Sequence, residues 1–153
     1  MKLKYANKSE FLSRESVTEE KVMLNICDKY DYGVTDANQF YGLYYTKPEQ
    51  DFKNTPTSDK DYGNIFFTEI FSYHKICNMI CVQWPKTQYN IRPFKIDHFR
   101  KCLLKLKEYM TKNNIKLVYT PVFAKDIFQG DWGGILTTMN SVFDIDTTVV
   151  IFK

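Results

Sequence analysis

Two short segments of the chain hold most of the side chains able to do chemistry. The first is Asp28 to Asn38, reading Asp-Lys-Tyr-Asp-Tyr-Gly-Val-Thr-Asp-Ala-Asn, and it follows the apolar run Val22 to Cys27. The second is Val122 to Gly130, which contains Phe123, Ala124, Lys125, Asp126 and Phe128 and follows the run Leu117 to Pro121. A carboxylate in such a loop can orient a water and take its proton. Asp36 and Asp126 are the candidates for that catalytic role. Asp36 has no identifiable neighbouring acid, which favours a helix N-cap for it instead, and the competing role of Asp126 is neutralising Lys125. Lys125 can pair with a phosphate or stand as a solvated lysine. Phe123, Phe128 and Trp84 offer flat faces that suit a purine, with packing of the core or rim as the preferred alternative.

Other chemistries find little support. His74, expected in a hairpin turn, and His98, expected on the polar side of a helix, lack a serine or cysteine at triad spacing. Lys125 and Asp126 do not make a phosphate-cradling loop, which needs glycines and a following Ser or Thr. Cys27, Cys77, Cys81 and Cys102 lie in apolar runs or on a helix. Zinc ligands cluster in turns with repeated short spacings, so buried free thiols in a reducing compartment are expected instead. Neither a metal nor a cofactor is implied.

The elements that must position these loops follow from pattern. Met1 to Ala6 alternates and suits an edge strand. Asn7 to Glu20 is polar and reads as a loop with one helical turn at most. Val22 to Cys27 is a buried strand. A short helix can begin near Asp36, with Phe40, Leu43 and Tyr44 on one face, and Pro48 suits the first turn of another helix through Phe52. Asn54 to Asp61 is a turn-rich linker. Asn64 to Phe71 and Lys75 to Gln83 form a hairpin, and the second of these is the most apolar segment, expected at the centre of a sheet. Pro93 to Thr111 is the strongest helix, with Phe99, Cys102, Leu103, Leu106 and Met110 at helical spacing. A strand (Leu117–Pro121), a helix opened by Asp131-Trp132-Gly133-Gly134 and a last strand (Thr147–Phe152) end the chain. The order predicts an α/β fold: a mixed sheet between helices in three layers, forming one domain over 1–153. It also sets the second loop beside a helix N-terminus, a position that favours anionic ligands.

At 153 residues, with 44% hydrophobic and 25% charged residues, the chain can bury a substantial core. The net charge of +3 is weak and interspersed, so nucleic acid and membrane surfaces are not expected partners. No signal peptide opens the sequence and no apolar run has the length of a membrane span, which predicts a cytoplasmic protein. Asn, Lys, Ile, Tyr and Phe are frequent while Ala, Gly and Pro are sparse. That bias fits AT-rich coding genomes, as in some phages and viruses.

Four segments in order carry a family resemblance. They are Val22 to Asp28; Lys75-Ile76-Cys77-Asn78-Met79-Ile80-Cys81-Val82-Gln83; Ile91-Arg92 with the helix bearing Phe99, Cys102 and Leu103; and Val118-Tyr119-Thr120-Pro121 followed by Asp131-Trp132. Together they resemble macro domains, in the compact branch of Poa-type phosphatases and terminal ADP-ribose glycohydrolases. The resemblance implies a pocket for ADP-ribose or a related NAD-derived nucleotide. It would be built by Asp28, Gly33, Val34, Thr35 and Ala37 from the first loop and by Phe123, Ala124, Lys125 and Phe128 from the second. Asp28 and Asp31 would then meet a ribose or adenine amine, the alternative being a strand-end cap and a surface charge. The family's loops are glycine-rich so that backbone N–H groups can close on the ligand. Here only Gly33 and Ala37 are small in the first loop, Asp36 adds a negative charge, and the second loop lacks both glycines. The aspartate of the glycohydrolase branch falls on Phe128, and the family's early Gly-Asp-Ile motif has no match between Tyr5 and Val22. A binding module therefore ranks ahead of an ADP-ribosyl or ADP-ribose-phosphate hydrolase working through Asp36 or Asp126 with Lys125. A surface that has lost its pocket and binds a host protein is the third reading.

Overall fold

A computed structural model of the chain describes residues 1–7, 19–32, 47–71, 74–85, 87–122 and 131–152. Along the chain come β1 (Lys2–Ala6), β2 (Lys21–Cys27), α1 (Lys47–Asn54), β3 (Ile65–Phe71), β4 (His74–Ile80), α2 (Ile96–Lys112), β5 (Leu117–Pro121), α3 (Trp132–Val142) and β6 (Thr148–Phe152). The strands form one sheet in the order β1-β6-β5-β2-β4-β3. Every neighbouring pair is parallel except β3 with β4, the expected hairpin.

β2 is buried at all its positions, which explains its nearly unbroken apolar sequence: a parallel strand covered on both faces needs apolar residues on both. Successive side chains point to opposite faces. Val22, Leu24 and Ile26 join Cys77 and Met79 of β4 under Phe99, Leu103 and Leu106 of α2 and Ile135 and Met139 of α3. Trp132, partly buried, packs against this cluster. On the opposite face, Cys27 and Ile80 pack with Phe52 of α1 and with Tyr32. Helices on both faces of a mixed sheet make the expected three-layer α/β/α arrangement.

The second face also carries a polar ladder. Asn25 Nδ2 donates to Asn78 Oδ1 at 3.0 Å, and Asn78 Nδ2 donates onward to Thr68 Oγ1 at 3.2 Å and the Phe66 carbonyl at 3.3 Å. Asn25, Asn78 and Thr68 are fully buried, so these bonds tie β2, β4 and β3 together in one register. Asn78 thus has the structural role that an amide in an apolar run requires.

Four sequence expectations shift. β4 ends at Ile80 rather than Gln83, because the Cys81 and Val82 N–H groups both turn to the Cys27 carbonyl, at 3.2 and 3.3 Å. α2 starts at Ile96 rather than Pro93, because Phe94 forms a β-bridge with Val82 and the Lys95 N–H donates to the Cys81 carbonyl at 2.9 Å. His74 is not in the turn but opens β4, paired with Lys21. β4 itself is interior but lies next to the β3 edge, while β2 and β5 hold the middle. β1 is an edge strand, as its alternation suggests. The helix expected near Asp36 and most of the Asn7–Glu20 loop lie outside the described residues. All four cysteines are free and buried.

Candidate functional site

The strand order creates one place where connections part. β2 and β5 are parallel neighbours. From the end of β2 the chain leaves through α1 towards β3 and β4; from the end of β5 it leaves through α3 towards β6. Ligands of open α/β sheets bind at such a switch point, in the crevice outside the carboxyl ends of the strands. The segments that leave it are the two loops singled out by their chemistry.

At the β2 end, Asp28 is 2% exposed. Its N–H donates to the Asp31 carbonyl at 3.1 Å, and its Oδ1 accepts the Tyr62 hydroxyl at 2.7 Å. The Tyr62 ring stacks on His98, with centroids 5.3 Å apart and planes 24° apart. Burial, and then the Asp28 carboxylate, push the Tyr62 phenol up, so it stays a donor at any working pH. Asp28 is therefore held in place by a partner distant in sequence, beyond capping its own strand. Asp31 is exposed. Tyr32 is buried, with its ring centroid 5.5 Å from that of Phe52, and Lys29 pairs with Asp61 at 2.9 Å. These contacts pin the start of the first loop.

Lys60 lies in the same neighbourhood of α1. It is 6% exposed, donates from Nζ to the Phe52 carbonyl at 3.0 Å and sits 4.0 Å from the Phe52 ring centroid. A buried ammonium is stabilised by such a carbonyl and ring face. Neither Tyr62 nor Lys60 stood out in the sequence, where they lie in and just after a turn-rich linker. The one local signal is Gly63. It has φ +91°, and a Cβ there would sit 3.1 Å from Lys101 Cδ, so this residue can turn Tyr62 back towards Asp28 where others are strained.

At the β5 end, Pro121 is buried. Beyond it, Asp131 caps α3, its Oδ1 accepting the Gly134 N–H at 3.0 Å. The expectation of a free helix N-terminus for an anion is thus modified, since the chain's own carboxylate takes one of those donors. At the β4 end, Asn90 fastens the next loop. Its Nδ2 donates to the Gln83 carbonyl at 2.5 Å and its Oδ1 accepts from Lys95 at 2.8 Å. Trp84, at the base of that loop, is 39% exposed.

Of the residues expected to form the pocket, Asp28 is placed at the crevice. Gly33, Val34, Thr35, Asp36 and Ala37, and Phe123, Ala124, Lys125, Asp126 and Phe128, lie outside the described residues. Neither histidine joins Asp28 directly: His74 is buried at the start of β4, and His98 stands behind Tyr62. Among the described residues no group of three His, Cys, Asp or Glu side chains could hold a metal ion, and no helix is long and apolar enough to cross a membrane.

Comparison with known proteins bears on the fold. No protein-family model matches the chain, and no curated protein matches it in sequence. Solved structures do. A protein from Bacteroides thetaiotaomicron superposes with a TM-score of 0.83 at 16% identity, over 99% of this chain and 100% of that one. A macrodomain protein from Streptomyces coelicolor gives 0.77 at 14% identity, over 99% of both chains. Thermosipho africanus DarTG, solved in complex with ADP-ribose, gives 0.72 at 11% identity, over all of this chain and 42% of that one. With its three layers, its sheet order and these superpositions, the chain has the macrodomain fold.

Proposed function

We propose that the protein binds ADP-ribose or a related NAD-derived nucleotide in the crevice between the ends of β2 and β5. The observation that carries this reading is the switch point itself; it is supported by the likeness to part of Thermosipho africanus DarTG, a protein solved in complex with ADP-ribose. Asp28 would accept a hydrogen bond from the adenine amine or a ribose hydroxyl, and Tyr62 would hold its carboxylate for that contact. Gly33, Val34, Thr35 and Ala37 would form one wall, and Phe123, Ala124, Lys125 and Phe128 the other, with Lys125 against the diphosphate and the phenylalanines against the base. Binding ranks before hydrolysis because both ligand loops are poor in the glycines that close backbone donors around a ribose. Hydrolysis would need Asp36 or Asp126 to orient a water.

The AT-rich composition bias supports a phage or viral source. In that setting the protein would sequester an ADP-ribose-derived defence signal of the host cytoplasm. Isothermal titration of the protein with ADP-ribose tests the reading. Micromolar binding, weakened by Asp28→Asn and by Asp126→Ala, is the expected result. Absence of heat at high ligand concentration would show that the fold has been kept without the pocket.

A further inference from the structure

At the end of the sheet opposite the crevice, the structure places a cavity and an exposed apolar side chain next to each other. The cavity, of about 120 Å³, lies among the C-terminal turns of α2 and the segments that lead into β5 and β6. Its lining includes Met110, Ile115 and Phe143, which belong to the main core. At its rim Lys107 pairs with Asp144 at 3.2 Å and Lys116 with Asp146 at 2.6 Å. A space of this size holds one small side chain, which would meet Met110, Ile115 and Phe143 with polar side chains such as Thr111 and Asn114 around it.

Ile145 stands between the two rim aspartates. The Thr147 N–H donates to the Asp144 carbonyl at 3.1 Å, so Asp144 to Thr147 form a tight turn with Ile145 at its first corner. Such corners favour proline and small polar residues, yet Ile145 is 85% exposed. Folding of the monomer does not account for an isoleucine there. Asp144 and Asp146 line the cavity while the exposed Ile145, between them, does not, so the chain presents knob and hole side by side without filling one with the other.

We propose that a second copy of this chain fills it. A two-fold interface is self-complementary when a projecting residue lies beside a recess that accepts it. Ile145 of each copy would enter the cavity of the other. The charges fit the same operation, because a rim of two lysines and two aspartates opposed to itself can exchange ion-pair partners and leave no net repulsion. Dimerisation at this end leaves both crevices open at the far ends of their sheets.

Sedimentation velocity over a wide concentration range tests the proposal, using wild type, Ile145→Asp and the cavity-blocking Thr111→Trp. The wild type is expected to be a reversible dimer. Each variant should weaken it by about a hundredfold or more, because the two-fold symmetry removes two buried aliphatic side chains from every dimer. The thermal unfolding of dilute Ile145→Asp should match the wild type, since that side chain contributes little to the monomer core. A wild type that stays monomeric throughout, or a dimer that either variant leaves intact, would overturn the proposal.

Discussion

Tyr62 donates its phenolic hydrogen to Asp28 Oδ1 at 2.7 Å across 34 residues of sequence. The contact joins the end of the central strand to the segment entering the hairpin. Hydrogen bonds to a charged group are worth about 1.5–3 kcal/mol, and Asp28 is nearly fully buried. Tyr62→Phe keeps the ring on His98 but leaves the carboxylate short of a donor. Urea unfolding should show a loss of about 1.5–3 kcal/mol with an unchanged m-value, and ADP-ribose titration should show weaker binding. An unchanged midpoint would mean that another group satisfies Asp28.

The Asn25–Asn78 bond gives a second prediction. Replacing Asn78 with Ala removes the acceptor of Asn25 Nδ2 and the donor to Thr68 Oγ1 inside a fully buried network, which should cost about 1–3 kcal/mol. Asn25→Ala removes the other side of the same bond. A double-mutant cycle should give a favourable coupling in the range of about 0.5–3 kcal/mol for groups in one network. Coupling near zero would show that the two amides act independently.

His74 predicts how stability depends on pH. Its imidazole is pulled down to about 4 by burial, with Lys21 beside it adding repulsion. In the unfolded chain a histidine titrates near ~6.5. The fold therefore resists protonation: its full stability is present above ~6.5 and is lost as pH falls from there towards 4, at up to about 1.4 kcal/mol per pH unit. His98 is lowered as well, mainly by burial, and adds to the same trend. The midpoint of chemical unfolding should fall across this window in wild type, and His74→Gln should flatten most of the slope. An equal slope in the variant would place the titration elsewhere.

Much of the fold could be read directly from pattern, because burial writes itself into sequence. β2 reads as a strand since both faces are covered, and α2 reads as a helix since Phe99, Cys102, Leu103, Leu106 and Met110 return to one buried face. Pattern and structure part where tertiary hydrogen bonds override local preference. Pro93 suits a helix start, but Phe94 is claimed by a bridge to Val82. His74 follows a turn, but pairing with Lys21 draws it into the strand. The site was less legible. The crevice depends on strand order, which no local pattern encodes. Asp28 was recognisable as a polar residue ending an apolar run, but its partner Tyr62 is set by how the linker after α1 folds back, and nothing near Asp28 specifies that.

The start of α3 tests how a cap and a glycine depend on each other. Asp131 Oδ1 accepts the Gly134 N–H at 3.0 Å, and a Cβ on Gly134 would lie 2.6 Å from Asp131 Oδ2. Gly134 therefore leaves room for the cap. Asp131→Ala removes it and should lower stability by about 1 kcal/mol. Gly134→Ala has two opposed effects. Alanine is better than glycine inside a helix by about 0.8–1.0 kcal/mol, but its methyl displaces the capping carboxylate, losing a term of similar size. The net change should be close to zero in Gly134→Ala, and clearly stabilising when Gly134→Ala is made in the Asp131→Ala background. Thermal unfolding of the four proteins reads this directly. A Gly134→Ala substitution that gains the same stability in both backgrounds would show that the carboxylate moves aside freely, and that the cap does not require the glycine.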